Sequence, residues 1–128
     1  MANIALSTPK APAALGPYSQ GIDAGETVYV SGQLGLVPET GEFAEGGTAA
    51  QVRQGLENVR AILAEAGLTM ADVVDVTVLL ADIADFAAAN EVYAEFFSEP
   101  YPARACYQVV LPKGGLSEIK VVARRSGK

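Results

Sequence analysis

The side chains best suited to chemistry lie near the end of the chain, between residues 100 and 118. Arg104 and Cys106 alternate with small residues in Ala-Arg-Ala-Cys-Tyr-Gln-Val-Val, and Glu118 follows a break rich in Pro and Gly. Strict alternation predicts a β-strand with Arg104 and Cys106 on one face. An arginine can bind a carboxylate through two parallel hydrogen bonds, and a glutamate can orient or deprotonate water. We therefore expect an Arg, the only Cys and a Glu on the polar sides of two neighbouring segments.

Each of these residues also has a purely structural interpretation. Arg104 could pair with an acidic neighbour such as Asp75. Glu118 could be an exposed strand residue paired with Lys120. Cys106 invites a nucleophile hypothesis, but the chain has no histidine that could activate its thiol. We interpret Cys106 as a wall residue whose backbone groups face a ligand.

The composition argues against several classes of function. Without histidine, a Ser-His-Asp triad or a Cys-His catalytic pair is impossible, and the most common zinc ligand is missing. A net charge of −6 argues against a nucleic-acid partner. No dinucleotide-binding or Walker pattern occurs, so we expect no cofactor and no metal. With no secretory signal and no apolar run of membrane-spanning length, we expect a cytoplasmic protein without a membrane partner.

Hydrophobic periodicity predicts the elements that position these residues. The 128 residues are expected to form one domain, 1–128. Period-two patterns predict strands at 27–34, 73–80, 103–110 and 117–123, after a less regular strand that ends at residue 24. Helical spacing predicts one helix at 48–66, opened by a capping box of Thr48 and Gln51 and stopped by Gly67. A second helix is predicted from Asp82 to Phe97.

Every confident strand has one apolar face, so we predict an α+β fold in which two helices cover the apolar side of one sheet. The opposite face is predicted to carry the polar strand residues: Tyr29, Ser31, Gln33, Asp75, Thr77, Arg104, Cys106 and Glu118. Val73, Leu79 and Val122 interrupt this polar face. We therefore expect another subunit to cover it, with any site at the edge of that interface.

Four further residues are candidates for the same site. Tyr18 lies on a backbone constrained by neighbouring Pro and Gly, and it either closes a pocket or is an ordinary turn aromatic. Ser31 and Gly32 could present a hydroxyl and a close backbone to a substrate, or form a simple bulge. Asn90 interrupts the apolar stripe of the second helix, so it either fixes a loop or lines a cleft.

Several of these residues belong to motifs that together resemble a known family. The motifs are Gly16-Pro-Tyr-Ser-Gln20, Ser31-Gly-Gln33, the helix containing Asn90, Pro102-Ala-Arg-Ala-Cys106 and, further on, Glu118. Over nearly the whole chain they resemble the RidA (YjgF) family of reactive intermediate deaminases. The resemblance implies a chorismate-mutase-like fold with a mixed sheet, a homotrimer with clefts between subunits, and no cofactor.

The resemblance also implies an activity and a set of site residues. The activity is hydrolysis of 2-iminobutanoate, 2-iminopropanoate and their enamine tautomers to 2-keto acids and ammonia. The implied catalytic residues are Arg104 and Glu118, and the implied substrate-binding residues are Tyr18, Ser31, Gly32, Asn90, Arg104 and Cys106. Two alternatives remain open at this point: a non-catalytic regulatory trimer that binds 2-keto acids, and an endoribonuclease, which the acidic balance argues against.

Overall fold

A computed structural model describes residues 2–125 of the chain. Eight helices and strands follow one another as β1 Ile4–Leu6, β2 Gly21–Asp23, β3 Thr27–Leu34, α1 Gly47–Glu65, β4 Val73–Leu80, α2 Phe86–Phe96, β5 Ala103–Gln108 and β6 Ser117–Arg124. Short 3₁₀ turns occupy Met70–Asp72, Ile83–Asp85 and Pro112–Gly114. None of the helices in residues 2–125 combines the length and the hydrophobicity needed to cross a membrane.

The six strands form one mixed sheet in the order β1-β2-β3-β6-β4-β5. The β4–β5 pair is parallel and all other neighbours are antiparallel. The helices α1 and α2 connect β3 to β4 and β4 to β5, two crossovers that step in the same direction across the sheet. Because such crossovers are almost always right-handed, both helices lie on the same face. The predicted α+β fold, with two helices on one face of a mixed sheet, is confirmed.

The hydrophobic core lies between this face and the helices. The most deeply buried core side chains are Val28, Val30, Val52, Leu56, Val59, Ile62, Leu63, Val76, Leu80, Ile119 and Val121. Two glycines allow α1 to approach β3 closely. A Cβ on Gly35 would lie 2.5 Å from the Cα of Gln51, and one on Gly55 would lie 3.1 Å from the carbonyl oxygen of Gln33.

One end of α1 was predicted correctly and the other was not. The capping box is wrong: α1 begins after Gly46, whose φ is 120°, and has no side-chain cap. The Thr48 hydroxyl instead donates to the Asp85 carboxylate at 2.7 Å. Oε1 of the Gln51 side chain instead accepts from the Leu116 main-chain amide at 2.9 Å. Thr48 and Gln51 thus bind residues distant in the chain and do not cap the helix. At the other end of α1, Gly67, with a φ of 75°, ends the helix as predicted.

A β-bulge in β3 corrects the predicted position of Gln33. The register with β6 shifts between Val30 and Gln33, so Ser31 and Gly32 together face one residue of β6. The extra residue reverses the alternation beyond this point. Gln33 is therefore only 6% exposed and lies on the helix-facing side, not on the polar face.

A second register shift corrects the predicted faces at the start of β4. The pairing of β4 with β6 is irregular between Val73 and Asp75. As a result Val73, which was predicted on the polar face, is buried in the core, whereas its neighbour Val74 is 47% exposed. From Val76 onward the predicted alternation holds.

The predicted face of Arg104 and Cys106 is also wrong. In the parallel β4–β5 pair, Arg104 lies beside Val76 and Cys106 lies beside Val78. Residues side by side on neighbouring strands point to the same face, and both valines are buried beneath the helices. Arg104 and Cys106 therefore lie on the helix side. The polar residues are tolerated there because β5 is the edge strand, where the cover provided by the helices ends.

Candidate functional site

The first group of residues, which we call the arginine cluster, consists of the candidates Asn90, Arg104 and Cys106 together with Tyr93, which we did not predict. Nη1 of Arg104, on β5, donates to Oδ1 of Asn90, on α2, at 2.7 Å. The Arg104 guanidinium carbon also lies 4.7 Å from the centre of the Tyr93 ring and 5.4 Å from that of Phe86. Two aromatic faces and one amide therefore hold the guanidinium in a defined position.

Most hydrogen-bond donors of Arg104 remain available. Within residues 2–125 its side chain forms a hydrogen bond only to Asn90, and Arg104 as a whole is exposed. A guanidinium carries five N–H donors arranged to match a carboxylate. The predicted partner Asp75 forms no ion pair with it in this part of the chain. The geometry favours an arginine that is poised for an external carboxylate.

The chemical state of Cys106 argues against a nucleophilic role. Its side chain packs against the hydrophobic core, and this burial raises the pKa of the thiol above its ordinary value, although the charge of Arg104 partly opposes the shift. A thiol with a raised pKa is protonated at neutral pH and is a poor nucleophile. The structure therefore favours the interpretation of Cys106 as a wall residue.

The second group, which we call the glutamate cluster, consists of Tyr18, Ser31, Gly32 and Glu118. All four line an open cleft of about 810 Å³. Glu118 lies on β6, beside Leu79 of β4 and Leu34 of β3. Its neighbour Ile119 is buried towards the helices, so Glu118 points to the opposite face.

The bulge in β3 makes room for the Glu118 side chain. A Cβ on Gly32 would lie 2.8 Å from Cδ and 2.9 Å from Oε2 of Glu118. Only a glycine leaves this space free. The carboxyl group is partly buried there, and this burial raises the pKa of Glu118 above its ordinary value. Such a shift is typical of carboxyl groups that exchange protons near neutral pH.

Ser31 and a residue that we did not predict hold the loop before β2. The Ser31 hydroxyl donates to the carbonyl oxygen of Ser19 at 2.6 Å, so in this chain it supports the loop that carries Tyr18. The side chain of Gln20, only 5% exposed, accepts from the Thr8 amide at 2.7 Å. Its amide nitrogen donates to the carbonyl oxygens of Thr8, Ala11 and Pro12. The signal available in the sequence was a Gln two positions after Tyr18, in a loop whose prolines limit local hydrogen bonding.

The two clusters lie on opposite faces of the sheet, and the chain by itself does not bring them together. The arginine cluster lies on the helix side of the edge strand β5, whereas Glu118 lies on the other face of β6, with β4 between these two strands. Within the part of the chain that the structure describes, no group of three or more His, Cys, Asp or Glu side chains could hold a metal ion.

Comparisons with known proteins find relatives that match nearly the whole chain. The family model described as Endoribonuclease L-PSP matches residues 8–125. The chain is 51% identical to the 2-iminobutanoate/2-iminopropanoate deaminase of Capra hircus over 119 residues, which are 92% of this chain and 87% of that protein.

Two crystal structures have nearly the same fold as this chain. RidA from the Antarctic bacterium Psychrobacter sp. has a TM-score of 0.92 and 51% identity, covering 95% of this chain and 99% of that one. TdcF of E. coli, solved with bound serine, has a TM-score of 0.91 and 46% identity, covering 96% of this chain and 99% of that one. Since the family model spans nearly the whole chain and these relatives share about half of its residues, the chain belongs to the Endoribonuclease L-PSP family, which is also the YjgF/RidA family.

Proposed function

We propose that this chain is a 2-iminobutanoate/2-iminopropanoate deaminase, a hydrolase that converts reactive imine and enamine intermediates to 2-keto acids and ammonia. Relatives from goat and human with that name are 51% and 50% identical over 92% of this chain. The observation that carries the proposal is the exposed guanidinium of Arg104, held by Asn90 and Tyr93 with most of its donors free. A 2-imino acid offers the carboxylate that such a group binds.

The proposal includes a homotrimer whose sites lie between subunits. The arginine cluster of one subunit would face the glutamate cluster of the next, because one chain holds them on opposite faces of its sheet. The sheet face away from the helices supports this arrangement. It exposes large apolar side chains, among them Tyr29, Val74 and Tyr107, which a second subunit would remove from water.

In the proposed reaction, Arg104 binds the substrate carboxylate and presents the carbon of the C=N bond to water. Glu118 accepts a proton from that water as its oxygen bonds to the carbon, while the π electrons of the C=N bond move to nitrogen. Glu118 then returns the proton to the nitrogen. Glu118 next transfers the hydroxyl proton of this carbinolamine to the nitrogen, so that the C–N bond breaks, ammonia leaves, and the C=O bond of the 2-keto acid forms. A carboxyl group with a raised pKa suits both directions of proton transfer.

The remaining candidate residues would shape the site. Asn90 fixes the guanidinium of Arg104, and Cys106 forms a wall beside it. Tyr18 covers the cleft from the loop that Ser31 supports. Gly32 leaves room for Glu118 and brings the backbone close to the substrate.

A coupled assay tests the proposed function. A serine or cysteine lyase generates 2-aminoacrylate, and the appearance of pyruvate is followed with and without this protein. We expect acceleration by the parent chain and a loss of about 10²-fold or more in Arg104→Ala, as for other truncated charge pairs. Arg53→Ala is the matched control, because Arg53 pairs with Glu95 on the exposed side of the helices and should keep full activity.

Two outcomes would contradict the proposal. Full hydrolysis by Arg104→Ala would remove Arg104 from the mechanism. Binding of 2-keto acids by the parent chain without any acceleration of pyruvate formation would favour the alternative of a regulatory 2-keto-acid-binding trimer.

A further inference from the structure

The cleft that contains Glu118 is also lined by two lysines, Lys113 and Lys120. Lys120 lies two positions after Glu118 on β6 and therefore points to the same face of the sheet. Lys113 lies in the 3₁₀ turn Pro112–Gly114 with a φ of 60°. It is the only residue other than glycine with a positive φ among residues 2–125. Such a conformation costs roughly 1 kcal/mol for a side chain of this kind and is often found at functional sites.

Lys113 and Lys120, like Lys10, Arg104 and Arg124, form no ion pair within residues 2–125, but they are the two cations that line this cleft. Arg53, Arg60 and Arg125 form ion pairs with Glu95, Glu57 and Asp23. Burial raises the pKa of Glu118, and within residues 2–125 neither lysine lies within ion-pair distance of its carboxyl group. In a chain with a net charge of −6, two unpaired ammonium groups on one cleft are a distinct anion-attracting feature.

In the proposed trimer this cleft, about 810 Å³ in one chain, faces the arginine cluster of the next subunit. Arg104 already provides the partner for the carboxylate next to the imine. Cations on the cleft wall would therefore meet the far end of a longer substrate.

We propose that Lys113 and Lys120 bind a second carboxylate, so that this protein prefers 2-imino dicarboxylic acids over monocarboxylic ones. The inference rests on the proposed deaminase function and names its substrate class. Glu39 also lines the cleft and is the one other acidic residue there among residues 2–125. Its exposed carboxylate opposes the lysines and should reduce the preference without abolishing it.

The test compares two substrates that amino acid oxidases generate in situ. One is a 2-imino dicarboxylic acid with a four- or five-carbon chain, and the other is 2-iminopropanoate. The measured quantity is the ratio of kcat/KM for the dicarboxylic acid to kcat/KM for the monocarboxylic one. We expect this ratio to fall about three- to tenfold in Lys120→Met and in Lys113→Asn, as for single partly exposed charges. Asn is chosen at 113 because it tolerates a positive φ and should preserve the turn.

Two further variants serve as controls for the charge of the cleft. Lys10→Met removes an exposed cation that does not line this cleft and should leave the ratio unchanged. Glu39→Gln should raise the ratio, and high salt should weaken every one of these effects. An unchanged ratio in both lysine variants, together with normal hydrolysis of 2-iminopropanoate, would overturn the inference and leave the proposed function standing.

A binding measurement separates the two proposals if hydrolysis itself fails. Calorimetry with a 2-keto dicarboxylic acid and with 2-ketobutanoate gives the ratio of affinities without turnover. A preference for the dicarboxylic acid that is lost in the double variant Lys113→Asn, Lys120→Met would support the lysine site. Equal affinities in the parent chain and in that variant would refute it.

Discussion

At the scale of single residues, the environment of Glu118 determines what its carboxyl group can do. It lies partly buried against Gly32, and burial favours the neutral form, so its pKa is raised. The carboxyl group of Glu95 shows the opposite case. Its hydrogen bonds to Arg53 on the exposed side of the helices lower its pKa below the ordinary value. The two glutamates therefore allow a comparison between a proposed catalytic carboxyl group and a structural one.

This difference predicts the pH dependence of catalysis. If Glu118 accepts a proton from water, its ionised form is active, so kcat/KM should fall as the pH falls through the pKa of this group. Because that pKa is raised, the acid limb should lie at higher pH than for an ordinary glutamate. Glu118→Gln should remove the limb and lower kcat/KM by about 10²-fold or more. Glu95→Gln should keep both the limb and the rate.

At the scale of elements, two glycines near the end of β3 serve different contacts. Gly32 faces the carboxyl end of a side chain, Glu118, which has freedom to move. Gly35, just beyond the strand, faces the backbone of α1, where a Cβ would lie 2.5 Å from both Cα and O of Gln51. The first contact positions the Glu118 side chain, and the second sets the distance between helix and sheet.

We therefore expect the same substitution to have different effects at these two positions. Gly32→Ala should displace Glu118 and reduce kcat by roughly tenfold or more. The free energy of unfolding should change by less than about 1 kcal/mol, since a side chain can move aside. Gly35→Ala should cost about 3 kcal/mol or more because the helix backbone must shift. Activity assays and chemical denaturation of both variants check this contrast, and equal loss of stability at both positions would contradict it.

At the scale of the whole molecule, the separation of the two clusters is the central feature. Arg104 lies on one face of the sheet and Glu118 on the other, with β4 between their strands. A substrate small enough to be held by both groups cannot reach across a sheet. Both residues can act on it only if two copies of the chain meet.

This arrangement predicts complementation between inactive variants. Arg104→Ala and Glu118→Ala should each be inactive alone. When they are unfolded together and refolded, some sites receive Arg104 from one variant and Glu118 from the other. With random assembly into a closed ring, roughly a quarter of the sites should be complete, and activity should return to about that fraction.

The control for this experiment mixes each variant with a chain that carries both substitutions. Neither of those mixtures can form a complete site, so neither should recover activity. If the mixture of the two single variants recovers no activity although subunit exchange is confirmed, each site must be built from one chain.

Much of the fold was predictable because hydrophobic alternation reports directly on burial. The two helices, the end of α1 at Gly67, and the strands β3, β4, β5 and β6 agree with the predicted segments to within a few residues. The strand β1 was missed because three residues are too few to show a period. The site residues were named as candidates from their types and motifs, but their grouping could not be predicted from local patterns.

The sequence by itself determined which residues share a face within an uninterrupted run of strand, which chemistry is absent and which family the motifs resemble. Only the tertiary structure decided which of those faces point the same way. Bulges at Ser31 and Val74 reverse the alternation, and parallel pairing with β4 turns Arg104 and Cys106 to the helix side. The physical reason is that a strand's period is local, whereas its register and its neighbours depend on contacts distant in the chain. For this protein, those distant contacts separate the arginine from the glutamate.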